Sequence, residues 1–236
     1  MSATSNKLIA KTDVIFEAIA KDCNAIAVEA KKNGAVLNDI NANEIYSEAY
    51  KQELSEKLNK GASDSIIATT TDITIQIDNL ASLVNDLNAV TDLFDDNKLS
   101  GALIAIGSIN IKDNYKPAVI AICNQFKGDF ASLNLLALTA KETEFKAIIY
   151  KYYLSDSDMN IHVTAIKDIT GSIIDNAKQG KYQAVIIYLA SLVKYLVTLS
   201  AFFNVGFGDL VKAQTDLTNM IELANEYEMR KALGLT

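Results

Sequence analysis

His162 is the single histidine of the 236-residue chain. Any site that needs two imidazoles is therefore excluded, including His-Glu-x-x-His zinc centres and the paired Glu-x-x-His of a di-iron bundle. A Ser-His-Asp triad would have to use His162 as its base, yet the residue sits in Asn-Ile-His-Val-Thr and no Gly-x-Ser-x-Gly occurs. The simpler reading is a surface histidine or a hydrogen-bonded core one. Paired carboxylates could perform acid–base chemistry, and Asp95-Asp96 and Asp156 with Asp158 are the visible pairs. Asp156-Ser-Asp158 resembles the start of a calcium loop, but Ile161 stands where that loop requires glycine and no Glu follows at its twelfth position. Turn and helix-cap roles account for both pairs. No Gly-Lys-Ser or Gly-Lys-Thr phosphate loop is present, and Gly101 and Gly107 lie inside an apolar stretch. These readings point away from an enzyme, with no cofactor and no metal expected.

Cys23 and Cys123 stand far apart in apolar segments without a Cys-x-x-Cys pair. Two thiols make no disulfide framework, so they read as buried small hydrophobes, with one bridge between them as the alternative. The chain carries a net charge of −7, and of its 22 basic residues only Arg230 is arginine. Lys and Arg contacts to phosphate dominate nucleic-acid affinity, so a nucleic-acid partner is not expected. Half the residues are hydrophobic, enough to offset the entropy of ordering a core. Lys11 and Asp13 interrupt the first apolar residues, so no secretory signal is expected and the location inferred is a virion or the host cytoplasm.

The elements that must position these groups read as helices, giving an all-α chain with Pro117 as the one proline. Leu8, Ile15, Ile19, Cys23, Ile26 and Ala30 fall at helical spacing, and Asn33-Gly34 predicts the stop of the first helix. A long second helix is predicted from about Asn43 to Val90, with Gly61 as a bend. In it Ile73, Ile77, Leu80, Val84 and Leu87 keep the alternating steps of four and three of a heptad seam. The rival over residues 67–78 is a strand, since Asp72-Ile-Thr-Ile-Gln-Ile-Asp78 alternates; helix is preferred because the heptad continues beyond Asp78. Asp95-Asp96-Asn97 predicts a boundary between a helical hairpin, residues 1–94, and a helical bundle, residues 98–236.

In the bundle the spacing predicts a short element over Leu99–Ile111 and a helix opened by Lys116-Pro117 that stops at Gly128. Asp129 then caps one helix running on to Tyr152. Ser155-Asp-Ser-Asp158 caps the next, ended by Gly180, and two helices follow, giving seven or eight in all. Ala184 to Phe207 is a largely apolar run of 24 residues with Lys194 near its middle, long enough to span a bilayer, where about 20 suffice. A buried bundle helix whose wet edge is marked by Ser191 and Lys194 is preferred.

The segment Asn43-Glu-Ile-Tyr-Ser-Glu-Ala-Tyr-Lys-Gln-Glu-Leu-Ser-Glu-Lys-Leu58, entered through Tyr-Ser-x-x-Tyr-Lys, resembles small head-associated and scaffold-like proteins of tailed phages of low-GC bacteria. The closing Tyr227-Glu-Met-Arg-Lys-Ala-Leu-Gly-Leu is similar to the ends of such chains. The resemblance implies a non-enzymatic structural protein of the phage head or neck, retained in the virion because this chain is less charged than a scaffold. Its partners would be other protein subunits, either virion proteins or further copies of itself, joined through Ile73, Ile77, Leu80, Val84 and Leu87. The alternative is a helical membrane-active protein that inserts residues 184–207 into a bilayer, the one case in which a membrane is a partner.

Overall fold

The computed structural model describes the backbone of residues 3–89, 97–203 and 208–232, and the side chains of residues 7–89, 97–203 and 208–222. The protein is all-α: two long N-terminal helices, α1 (Ala3–Ala42) and α2 (Glu48–Asn88), pack against each other and a helical bundle follows. The bundle comprises α3 (Asn97–Ser108), α4 (Tyr115–Gln125), α5 (Phe130–Thr139), α6 (Thr143–Ile149), α7 (Asp156–Lys178), α8 (Tyr182–Ser200) and α9 (Gly208–Ala232). Nine helices therefore stand among the described residues, more than the seven or eight expected.

Two compact units divide the chain, and each is discontinuous in sequence. One comprises Met1–Ile15, Asp78–Val163 and Thr198–Gly206; the other comprises Phe16–Ile77, Thr164–Val197 and Phe207–Thr236. The predicted boundary at Asp95-Asp96 falls outside the described residues, and Asn97 opens α3.

In the first unit, α3 packs on α4 and α5, and α6 on α4 and α5. Gly128, with φ +81°, turns the chain after α4 in a conformation that L side chains resist. Asp129 then caps α5: Oδ1 accepts from Ser132 N at 3.1 Å and Oδ2 from Ser132 Oγ at 2.9 Å. The single helix predicted from Asp129 to Tyr152 is two. Ala140 and Glu142 are extended, with ψ 130° and 132°, and the chain folds back there. That break lets Leu133, Leu136 and Ala137 on α5 share one interior with Phe145 and Ile149 on α6. A straight helix could not bury both sets against each other.

In the second unit, α1 does not stop at Asn33-Gly34 but runs on to Ala42. Asn33 is buried, and its Nδ2 donates to Glu29 O at 2.7 Å and to Glu29 Oε1 at 2.8 Å, so a potential cap residue is held inside the helix. A Cβ at Gly34 would stand 3.5 Å from the Tyr182 Cβ. Glycine here serves close packing of α8 on α1, which offsets its helix-propensity cost of about 1 kcal/mol. Residues 67–78 are helical, and Gly61 lies inside α2 without ending it. The Thr hydroxyls that make this stretch look strand-like turn back onto the helix: Thr70 donates to Ile66 O, Thr71 to Ile67 O and Thr74 to Thr70 O. The start of α2 lies later than Asn43, at Glu48, because Ser47 acts as the cap and its Oγ accepts from Tyr50 N at 3.3 Å.

The apolar run of residues 184–207 forms α8 up to Ser200, and residues 204–207 lie outside the described residues. Val185, Leu189, Leu192, Val193, Leu196 and Leu199 are fully buried, whereas Ser191 and Lys194 lie on the exposed edge.

Candidate functional site

The heptad seam lies inside the chain. Ile73, Ile77, Leu80 and Val84 are 0% exposed and Leu87 is 1% exposed, so these side chains serve as core, and any second chain meets other faces of α2.

The carboxylates of Asp156 and Asp158 stand in the first turn of α7. Ser155 Oγ accepts from Asp158 N at 3.1 Å and donates to Asp158 Oδ2 at 2.6 Å, a reciprocal cap that closes the helix start. Asn88 Nδ2 donates to Asp156 Oδ1 at 2.6 Å and to Leu154 O at 3.3 Å, fastening the end of α2 to the same turn. Asp95 and Asp96 lie outside the described residues. Among the described residues no three His, Cys, Asp or Glu side chains stand together as a metal set.

His162 lies one turn further along α7, half-buried, with its ring centroid 6.2 Å from that of Phe202. Burial pushes its pKa below the ordinary 6.5, against the smaller opposing pull of the Asp158 carboxylate. Together with Tyr150, Tyr153, Leu154, Asp158, Ile161 and Phe202 it lines a cleft of about 270 Å³. The Tyr150 and Tyr153 rings are 6.2 Å apart. Tyr153 also meets the buried Phe130 edge-on at 6.2 Å, and Phe130 in turn meets Phe203 at 5.4 Å. Successive aromatics thus separate: Phe203 anchors the interior while Phe202 is left to wall the cleft.

Two further clefts are more apolar. One, of about 650 Å³, lies between Ala30–Asn38 of α1, the turn and first residues of α8, and Met220, and carries Lys31 and Lys181 without a lining carboxylate. The other, of about 540 Å³, lies between α1 and α2 and is lined by Ala10, Lys11, Val14, Ile15, Asn79, Ser82 and Leu83.

No family model, curated protein or solved structure matches this chain. The His162 cleft was not foreseen from the sequence as a site. Its only trace there is the raised aromatic content after Leu99, which does not indicate which rings meet. The thiols foreseen as buried are so: Cys23 and Cys123 are free and 0% exposed.

Proposed function

We propose that the protein is a non-enzymatic structural or assembly subunit that associates with further copies of itself through helix–helix contacts on the first unit. One observation carries the reading: Val14 is 64% exposed at the edge of the groove lined by Ala10, Ile15, Ser82 and Leu83. A two-fold contact needs one patch that is complementary to itself. Here a protruding β-branched side chain and a mostly apolar groove, with Lys11 and Asn79 as its larger polar members, share that patch, so each copy can offer its Val14 to the other's groove. The test is sedimentation equilibrium of the intact chain and of Val14→Glu, with circular dichroism as the check on folding. An oligomer that dissociates in the variant supports the reading; a wild-type monomer across the accessible concentration range overturns it.

The resemblance of Asn43–Leu58 to head-associated phage proteins supports the reading of such a subunit as part of the head or neck of a virion, with virion proteins as further partners and the virion or host cytoplasm as its location. Portal or capsid genes flanking its own gene would agree with that placement, and a setting among unrelated genes would count against it.

A second reading rests on α8. Tyr182–Ser200 has a mean hydropathy of 1.6 with 44% of that window buried, and Ile187 and Tyr188 are exposed. A protein that releases this helix at a bilayer would cause leakage from dye-loaded liposomes at neutral or mildly acid pH. Intact liposomes throughout would remove the reading.

A further inference from the structure

The cleft at the start of α7 combines two features. Its walls are aromatic, with Tyr150, Tyr153, Phe202 and the His162 imidazole all lining it, and its charged group is a carboxylate, Asp158. The ring faces carry negative quadrupole density that attracts cations lacking strong hydration. No Lys or Arg lines the cleft.

The local field favours the same sign of ligand. The helix start contributes roughly half a positive charge, whereas Asp156 and Asp158 both stand close enough to Tyr153 to hold its phenol above the usual range, after the larger effect of burial. Two carboxylates outweigh the dipole. Asp158 Oδ2 is engaged by Ser155 Oγ, which fixes the carboxylate of a residue that lines the cleft and is itself exposed.

Rigidity and size complete the case. Tyr153 is backed by Phe130, which itself packs on Phe203, so this ring of the wall is held by the interior and needs little ordering when a ligand enters. At about 270 Å³ the cleft falls below the roughly 300–1,000 Å³ of drug-sized sites, and so suits a compact head group. A primary ammonium or guanidinium would leave N–H donors facing rings, whereas a methylated ammonium has none to satisfy.

We propose that this cleft binds a quaternary ammonium group of the choline type, held by the rings of Tyr150, Tyr153 and Phe202 and by the carboxylate of Asp158. The site is independent of the self-association groove, so either can fail without the other.

The sole histidine supplies a single imidazole reporter for NMR. The intact protein is titrated with tetramethylammonium, with choline, and with the neutral carbon isostere of choline. Saturable shifts of the His162 resonances are expected with the two cations, and binding of the isostere is expected to be weaker by about fivefold or more. Tyr150→Ala and Phe202→Leu should each weaken choline by about fivefold, while Tyr150→Phe, which keeps the ring, should stay within about twofold. Tyr150 is 47% exposed, so its truncation decides the matter even if Phe202→Leu disturbs folding. Asp158→Asn, which keeps an acceptor for Ser155, should also weaken the cations. Phosphatidylcholine vesicles that bind the protein with the same dependence on Tyr150 assign the ammonium to a lipid head group; choline binding without vesicle binding assigns it to a free solute. Equal affinity for choline and its neutral isostere, unchanged affinity in the ring variants, or no saturable shift overturns the proposal.

Discussion

The Tyr182 hydroxyl donates a 2.9 Å hydrogen bond to Asn59 Oδ1, joining the start of α8 to the first third of α2. The residue that makes room for this bond is Gly180, which takes φ +66° in the turn after α7; a Cβ there would meet Asn59 Nδ2 at 2.6 Å. Removing the hydroxyl in Tyr182→Phe should cost about 1 kcal/mol, read as a melting temperature lower by about 2–4 °C. Gly180→Ala should cost about 1–2 kcal/mol from left-handed backbone strain and should also push Asn59 aside. The two effects share a partner, so the double variant should lose less than the sum. Strict additivity in thermal melts would show that Asn59 does not couple them.

Asp129 is 1% exposed and holds both Ser132 N and Ser132 Oγ. Asp129→Ala removes the cap and leaves two donors unsatisfied, for an expected loss of about 2 kcal/mol in urea unfolding. Ser155→Ala, at an exposed cap, should lose about 1 kcal/mol or less. The reverse order would mean that burial does not set the worth of these caps.

His162 makes stability depend on pH. Its folded pKa lies below the ordinary 6.5 because it is buried, so between the two values the unfolded chain binds more protons. Stability is then fully present above about 6.5, falls as pH drops through that window, and levels off below the folded pKa. Asp158, Tyr150 and Tyr153 are the titratable neighbours in the cleft. Melting temperatures between pH 7.5 and pH 5 should fall more steeply in the native sequence than in His162→Gln, a pair that cancels most of the carboxylate background. Parallel curves would contradict this.

Asp22 acts with the opposite proton preference. Burial first, and then the Asp72 carboxylate, raise its pKa above the usual 3.8, with Lys21 partly opposing. The folded chain therefore holds this proton more tightly, and stability is lost as pH rises through the window above 3.8. At neutral pH the charged form is a net cost. Because the group is partly solvated, Asp22→Asn should raise the melting temperature by only about 1 °C at pH 7, and by less in an Asp72→Asn background. A lower melting temperature at pH 7 would contradict it.

Both thiols should be inert in the native protein. Burial drives the Cys23 thiol far above its ordinary pKa, and that of Cys123 up to about 11, so the reactive thiolate is scarce. Labelling with a chromogenic disulfide should proceed only as fast as the protein opens, and reductant should leave the melting temperature unchanged because both cysteines are free. Rapid labelling of either residue without denaturant would contradict the burial.

The sequence by itself determined the helical character, the long N-terminal pair, and most of the punctuation. Gly128, Asp129, Ser155 and Gly180 act locally, through φ preference or a hydrogen bond to a near neighbour, and such signals are complete within a few residues. Periodicity alone places Ile73, Ile77, Leu80, Val84 and Leu87 on one side of α2, but not whether that side meets another subunit or, as here, lies buried within the chain. What lay beyond that reach was decided by packing. Asn33-Gly34 has the chemistry of a helix stop, yet Tyr182 closes on Gly34 and keeps the helix going. Ala140 and Glu142 carry no breaker signal, yet the chain turns there and α6 packs back on α5, with Leu133, Leu136, Phe145 and Ile149 buried. The meeting of Tyr150, Tyr153, His162 and Phe202 is likewise a tertiary outcome: of these four only His162 stands on a helix, α7, whereas Tyr150 and Tyr153 lie between α6 and α7 and Phe202 follows α8, and no periodicity relates residues of separate turns.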